Sequence, residues 1–283
     1  MSAFTPQPFT MGPALLFCPG DRPDRFHKAA ERSDAVIIDL EDAVGPDQKH
    51  AAREAIAAAQ LEPATTIVRI NAVEAGCVDE DLEAAHAAGV HTVMLAKVES
   101  SADIDRLGRI SVIALVETAL GVANAREIAA HEHVVALMWG AEDLVASMGG
   151  TSSRGPGGEY RDVARLARAS VLLAAKAEGK AAIDAIRTDI ADTDGALAES
   201  QDAAASGFDA KASIHPNHVA PIREAFLPSD AETAWARAVL AEAERHAGGV
   251  FSFDGRMIDE PILRHARRTV TRTAHKASDE GAP

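Results

Sequence analysis

The chain has little of several things. Of its 283 residues two are cysteine, Cys18 and Cys77, one is tyrosine, and 4% are aromatic. Two cysteines make no disulfide framework, and a reducing cytoplasmic setting fits them. No apolar run approaches the ~20 residues of a membrane span, so no membrane partner is expected. The first eleven residues lack a basic stretch followed by an apolar core, so no signal peptide is expected either. Lysine and arginine number 28 against 43 aspartates and glutamates, and the resulting net charge of −15 argues against general nucleic-acid binding. The one basic cluster, Arg264 to Lys276, reads as a solvated helix face. There is no P-loop, no G-x-S-x-G and no H-E-x-x-H, which sets aside the chemistries those motifs carry.

What is present is alternation. Short apolar runs of strand length recur, each followed by a helical pattern: Ala14–Cys18, Ala35–Leu40, Thr66–Ile70, Thr92–Leu95, Ile113–Val116, Val134–Trp139, Ala181–Ile186 and Ala210–Ile214. Eight strands alternating with helices over about 215 residues is what a (β/α)8 barrel, or TIM barrel, requires. A doubly wound open sheet is the runner-up, but no G-x-G-x-x-G follows the first strand. Residues 1–11 read as a loose leader, 12–228 as the barrel, and 229–283 as a C-terminal helical extension or lid. In the extension, residues 231–246 read as a helix and 250–261 as a hairpin-like segment, with Gly248-Gly249 between them.

The chemistry is expected where strands end, because an α/β barrel carries its site on that rim. The fifth strand ends at Glu117 and the sixth is followed by Gly140-Ala141-Glu142-Asp143. Neighbouring strands would bring Glu117 and Asp143 together as two hard oxygen ligands, a pattern suited to Mg²⁺. The bland alternative is that each acid caps the helix after it. Asp39, Glu41 and Asp42 crowd the end of the second strand and cannot all ionise without cations, which a metal, Arg69 and Lys97 would supply. Arg69 ends the third strand, where its guanidinium suits either a substrate carboxylate or an ion pair with Asp39 or Glu41. Arg22, Arg25 and Lys28 follow the first strand and suit a phosphate-bearing ligand. His131 and His133 read as surface histidines at the opposite rim. His215, before Pro216, reads equally as a ligand contact or as a residue fixing its loop. Cys18 reads as a small buried hydrophobe.

These pieces resemble one family. Leu16-Phe17-Cys18-Pro19-Gly20-Asp21-Arg22, Asp39-Leu40-Glu41-Asp42-Ala43-Val44, Val68-Arg69-Ile70-Asn71, Lys97-Val98-Glu99-Ser100, Glu117-Thr118, Trp139-Gly140-Ala141-Glu142-Asp143, Ser213-Ile214-His215-Pro216 and Phe253–Asp259 occur in an order similar to that of the citrate lyase beta-subunit-like (CitE-like) CoA-ester lyases, within the HpcH/HpaI aldolase superfamily. The resemblance implies Mg²⁺, or Mn²⁺ in its place, on Glu117 and Asp143. It implies Arg69 on the carboxylate of a small keto acid and coenzyme A contacts from Phe17, Arg22 and Lys28. It also implies that Asp259 reaches a neighbouring subunit's site as a base, in a homotrimer or a dimer of trimers. Asp39 and Glu41 join Arg69 and Asp259 in the catalytic set, chiefly by orienting and neutralising it. The implied reaction is reversible cleavage of a malyl-, citramalyl- or 3-hydroxy-3-methylglutaryl-CoA-like thioester to an acyl-CoA and a keto acid. The alternatives are a malate-synthase-like activity that also hydrolyses the thioester, aldol cleavage without CoA, and a citryl lyase subunit needing an acyl-carrier partner.

Overall fold

A computed structural model of the chain describes residues 4–246 and 249–279. Eight parallel strands close into a barrel in sequence order. The first half runs β1 (Ala14–Pro19), α1 (Phe26–Arg32), β2 (Ala35–Asp39), α2 (Lys49–Ala58), β3 (Thr66–Ile70), α3 (Val78–Ala87), β4 (Thr92–Leu95) and α4 (Ser101–Asp105). The second half opens with β5 (Ser111–Val116), α5 (Ala119–Ala123), α6 (Ala125–Ala130), β6 (Val134–Trp139) and α7 (Ala141–Ser147). It ends with α8 (Asp162–Ala177), β7 (Ala181–Asp184), α9 (Thr193–Ser206), β8 (Ala210–Ser213) and α10 (Val219–Phe226). β8 pairs with β1, Ala212 opposite Leu15, and completes the cylinder. This is the (β/α)8 barrel that the alternation predicts.

The strands read as continuous apolar runs because both of their faces are covered. Successive side chains point to opposite faces. Leu15, Ile37, Ile67, Met94, Ile113, Leu115, Met138, Ile183 and Ala212 belong to one buried cluster inside the barrel. Burying each of its large side chains contributes ~1.5–3 kcal/mol relative to exposure. Extending that phase by two residues reaches Asp39 on β2, Arg69 on β3 and Glu117 just past β5. The period of the strands therefore carries these three polar side chains to the inner edge of the carboxyl-end mouth.

The expectation of a loose leader is corrected. Residues 4–12 form no helix or strand, yet Phe9 and Met11 pack against the barrel's interior cluster. The Gln7 backbone N–H donates to Ser111 Oγ at the start of β5, at 3.0 Å. Two apolar side chains against the barrel interior outweigh the missing regular structure.

The chain divides into two compact units, one ending at Arg223 and one beginning at Glu224, a cut that falls inside α10. The second unit holds α11 (Asp230–Arg245), the hairpin β9 (Phe251–Phe253) and β10 (Arg256–Ile258), and α12 (Glu260–Asp279). Ser229 caps α11 in a reciprocal box with Glu232. Val239, Phe251, Ile258 and Leu263 form the unit's own small core. Residues 1–3 of the leader, residues 248 and 280–283 of the extension, and the side chains of 271 and 273–276 of the basic cluster lie outside the described residues. No helix among the described residues is long and apolar enough to cross a membrane.

Candidate active site

Arg69 lies opposite Asp39 in the β2–β3 register. Its Nε donates to Asp39 Oδ1 and its Nη2 to Asp39 Oδ2, both at 2.6 Å. Its Nη1 lies 2.9 Å from Glu41 Oε2. The Asp39 carboxylate also accepts from the backbone N–H of Glu41 and of Ala43. The Phe17 ring lies against the guanidinium, 5.0 Å from ring centroid to Cζ. Arg69 is thus fixed in plane and position by two acids and an aromatic face. The ion pair that the sequence offers as an alternative to substrate binding is present. Hydrogen bonds to Asp39 use two of the five guanidinium N–H groups, and Glu41 Oε2 stands beside Nη1 without accepting a hydrogen bond.

Glu117 and Asp143 come to the same mouth. Both lie beside the ammonium of Lys97, 4.0 Å from Glu117 Oε1 and 3.4 Å from Asp143 Oδ1. Asp42 lies 3.8 Å from that nitrogen, and Glu41 accepts a hydrogen bond from it. Burial pushes the Glu117 carboxyl up to about 8, the charge of Asp143 adds to the rise, and Lys97 and Arg69 oppose it. Burial also raises Glu41 above the usual carboxylate range against the pull of Arg69 and Lys97. Burial works against the Lys97 charge, yet Glu41, Glu117 and Asp143 together hold the ammonium above its ordinary value.

This donor set fits a magnesium ion. A nearly buried carboxylate whose charge is disfavoured by burial and by a neighbouring acid gains from a divalent cation. Gly140 keeps the space open, since a Cβ there would stand 2.6 Å from Glu117 Oε2. Among the described residues no group of three or more His, Cys, Asp or Glu side chains is spaced to hold a metal ion. Two carboxylates with water and substrate is the usual arrangement for Mg²⁺, which seldom takes a cage made wholly of protein.

The remaining candidates are dispersed. Arg22 is held by Asp24, with Nε and Nη2 donating at 3.0 and 2.9 Å, on the loop after β1. Arg25 and Lys28 are exposed nearby on the same segment. Phe17 packs against the barrel's interior cluster and lies against the Arg69 guanidinium. Cys18 is buried, and burial pushes its thiol up to about 11. The His215 Nδ1 accepts from the Asn217 backbone N–H and fixes its turn. The expectation of surface histidines is corrected: His131 and His133 are half-buried and meet edge to face, and the Phe4 ring packs on His133. Asp259 is half-buried in the second unit, where its Oδ1 accepts from the Ile262 N–H in the first turn of α12.

Sequence reasoning missed a buried ionic layer behind the sheet. Lys211, 1% exposed, donates to Asp184 Oδ2 at 3.0 Å and lies 3.7 Å from Glu199 Oε2 on α9. Asp184 also accepts from Trp139 Nε1 at 2.7 Å and from Arg168 Nε on α8 at 2.8 Å. Burial alone would raise the Asp184 carboxyl, but Lys211, Arg168 and Trp139 hold it below the usual range. Ile183, Ala210 and Ala212 face inward, so Asp184 and Lys211 face the helices. A charge in the middle of the eighth apolar run, and an acid at the end of the seventh, are the signals that pointed there.

A closed parallel barrel with carboxylates and a fixed arginine at its carboxyl-end mouth defines a class of metal-assisted barrel enzymes acting on small anions. Comparison narrows it. The family described as HpcH/HpaI aldolase/citrate lyase matches residues 14–216. A citrate lyase subunit beta-like protein of Mycobacterium tuberculosis is 51% identical over 269 residues, 95% of this chain and 98% of that protein. The human mitochondrial citramalyl-CoA lyase is 35% identical, over 91% of this chain and 84% of its own. The crystal structure of M. tuberculosis CitE in complex with magnesium, acetoacetate and coenzyme A superposes with a TM-score of 0.89 at 50% identity, covering 94% of this chain and 99% of that one. The chain belongs to the HpcH/HpaI aldolase/citrate lyase family.

Proposed function

We propose that this protein is a Mg²⁺-dependent CoA-ester carbon–carbon lyase. It cleaves a 3-hydroxyacyl-CoA reversibly to an acyl-CoA and a keto acid. The observation that carries the reading is the convergence of Glu117 and Asp143 beside one ammonium, at the mouth where Arg69 is locked. The magnesium and coenzyme A of the M. tuberculosis CitE complex and the activity of human citramalyl-CoA lyase support the cofactor and the thioester.

Glu117 and Asp143 hold the Mg²⁺, which when bound acts as a Lewis acid toward the keto acid's oxygen. Arg69 turns N–H groups not bonded to Asp39 to the keto acid's carboxylate and stabilises negative charge developing beside it. Asp39 and Glu41 keep the guanidinium in that plane. Phe17 forms part of the wall beneath it, and Arg22 and Lys28 meet the phosphates of CoA. Asp259 from a neighbouring copy accepts the proton from the thioester's α-carbon in the condensation direction. That role requires a homo-oligomer, for which a trimer or a dimer of trimers is the assembly proposed. Leu166 and Leu173, two turns apart on α8 and 67% and 69% exposed, offer an apolar strip that a second copy would cover. Both cysteines are free thiols, as a reducing cytoplasm would keep them.

The test is a panel of malyl-, citramalyl- and 3-hydroxy-3-methylglutaryl-CoA incubated with the purified chain and Mg²⁺, following the product acids. Cleavage of one thioester by the chain alone, lost in Glu117→Ala, supports the reading and removes the need for an acyl-carrier partner. Full activity of Glu117→Ala would overturn the metal assignment. Free CoA released from acetyl-CoA and glyoxylate would show that hydrolysis follows condensation.

A further inference from the structure

Four carboxylates and one ammonium meet at the mouth of the barrel. Lys97 Nζ bonds Glu41 and stands 3.4 Å from Asp143, 3.8 Å from Asp42 and 4.0 Å from Glu117. Two of those acids are the pair assigned to Mg²⁺. A divalent ion seated between them would lie within a few ångströms of the ammonium, in a half-dehydrated site where like charges repel strongly. The two cations compete for the charge of the same two carboxylates.

The backbone at Lys97 is unusual. With φ of +53° it is one of two non-glycine residues among the described residues in the left-handed region, the other being Asp254 in the hairpin turn. A long side chain stays in that region only where its surroundings hold it, and such positions gather at functional sites. The strand β4 places Met94 in the inward phase, so residue 97 would face the helices if the strand continued. The left-handed turn breaks that phase, and the ammonium lies among the mouth acids. The same turn lets the Lys97 N–H donate to Glu117 Oε1 at 3.2 Å. The residue thus holds Glu117 by its main chain, which is fixed, and faces it with an ammonium, which is not.

The two cations of the site are built differently. Arg69 is locked into a planar fork on Asp39. Lys97 carries a compact charge on a four-carbon stem with three rotatable donors. Its side chain is 31% exposed, and besides the metal pair it has Glu41 and the exposed Asp42 as partners.

We propose that Lys97 is an exchangeable counter-ion: its ammonium offsets the charge of Asp143 and of ionised Glu117 while no divalent ion is bound, and is left to Glu41 and Asp42 when one enters. This rests on Glu117 and Asp143 being the metal pair. The lysine keeps the buried Glu117 and the half-buried Asp143 compatible with the folded state, and the metal's affinity is set by competition with it. Removing the ammonium therefore tightens metal binding, the reverse of what the loss of a structural support would do.

Calorimetric titration of MgCl₂ above pH 8, where proton competition at Glu117 has levelled off, into the full-length wild type, Lys97→Met, Lys97→Gln and Glu117→Gln tests this. The two lysine variants are expected to bind Mg²⁺ roughly tenfold or more tighter than wild type. Their metal-free melting midpoints are expected below wild type, with a larger rise on adding Mg²⁺. Equal or weaker binding in both folded lysine variants overturns the exchange and leaves the metal assignment standing. No Mg²⁺ binding by wild type, or unchanged binding by Glu117→Gln, sinks the assignment and the exchange together. A second measurement needs no variant: reductive methylation of wild-type lysines, mapped by peptide mass, is expected to label Lys97 several-fold faster with Mg²⁺ present. Unchanged Lys97 labelling in a protein that binds Mg²⁺ overturns the exchange.

Discussion

Asp39 and Arg69 stand opposite each other on neighbouring strands and are joined by two parallel hydrogen bonds of 2.6 Å. Strand register therefore sets the plane of the guanidinium, and Glu41 and Phe17 hold its far side and its face. Arg69→Lys keeps the charge but loses the fork. It is expected to reduce kcat/KM by about 100-fold or more, since misplacing a positioning group by ~1 Å has effects of that order. Arg69→Ala should in addition lower folding stability by about 3–5 kcal/mol, because Asp39 stays buried without its cation. Steady-state kinetics and urea unfolding separate the two effects.

Glu117 gives the metal-free protein a pH dependence whose sign is fixed. Its carboxyl is pushed up to about 8 from an ordinary 4.5, by burial and then by Asp143. A group raised in the folded state contributes stability that is fully present below its unfolded value and is lost as pH rises through the folded one. The metal-free protein should therefore lose stability between about pH 5 and pH 8, and Glu117→Gln should flatten that slope. Mg²⁺ must displace the proton, so its affinity should rise over the same window and level off above it. Thermal melts with and without Mg²⁺ across this range report both trends, and a slope unchanged in Glu117→Gln would refute the assignment.

Much of the site was legible because it follows the strands. Asp39, Arg69 and Glu117 each end an apolar run in the inward phase, so periodicity alone sends them to one mouth. Lys97 was legible as a nearby cation, but its left-handed backbone was not, since no glycine marks it. The packing of Phe9 and Met11 escaped notice because an irregular segment has no period. The Lys211 layer escaped for another reason. Ala-Lys-Ala-Ser looks like an ordinary alternation, and the acids that neutralise its lysine come from β7 and α9, brought together only by the closed fold.

That layer faces the helices rather than the barrel interior, which makes it separable by experiment. Lys211→Met removes a cation shared by Asp184 and Glu199, while Asp184 keeps Arg168 and Trp139. An incompletely compensated buried acid lowers stability by about 3 kcal/mol or more. Urea unfolding should show that loss. Mg²⁺ affinity of the folded variant, measured by titration well below its melting point, should match wild type.

The role assigned to Asp259 requires two copies. Glu117→Ala and Asp259→Ala should each be inactive as pure proteins. Mixed under conditions of verified subunit exchange, they should regain activity, because some sites then combine an intact Glu117 with an intact Asp259 from a neighbour. If activity stays absent after exchange is confirmed by mass, the base comes from elsewhere.

Gly140 offers the sharpest test of the space around the metal pair. Its φ of −121° is open to any residue, so the backbone itself places no demand for glycine. The demand is steric: an added Cβ would meet Glu117 Oε2 at 2.6 Å and Glu117 Cβ at 2.8 Å. The Oε2 atom can swing aside, but the Glu117 Cβ is tied to the main chain beyond β5. Relief must come from turning the carboxylate or from parting the ends of β5 and β6, where the Gly140 N–H donates to Val116 O at 3.3 Å. Either movement shifts one ligand of the pair against the other. Mg²⁺ accepts little departure from octahedral geometry. Gly140→Ala should therefore weaken Mg²⁺ binding by roughly 10–100-fold, the range found when a ligand's support is disturbed. Its circular dichroism spectrum should remain that of the wild-type barrel. Wild-type Mg²⁺ affinity in a folded Gly140→Ala protein would mean that Glu117 is not held where the metal needs it.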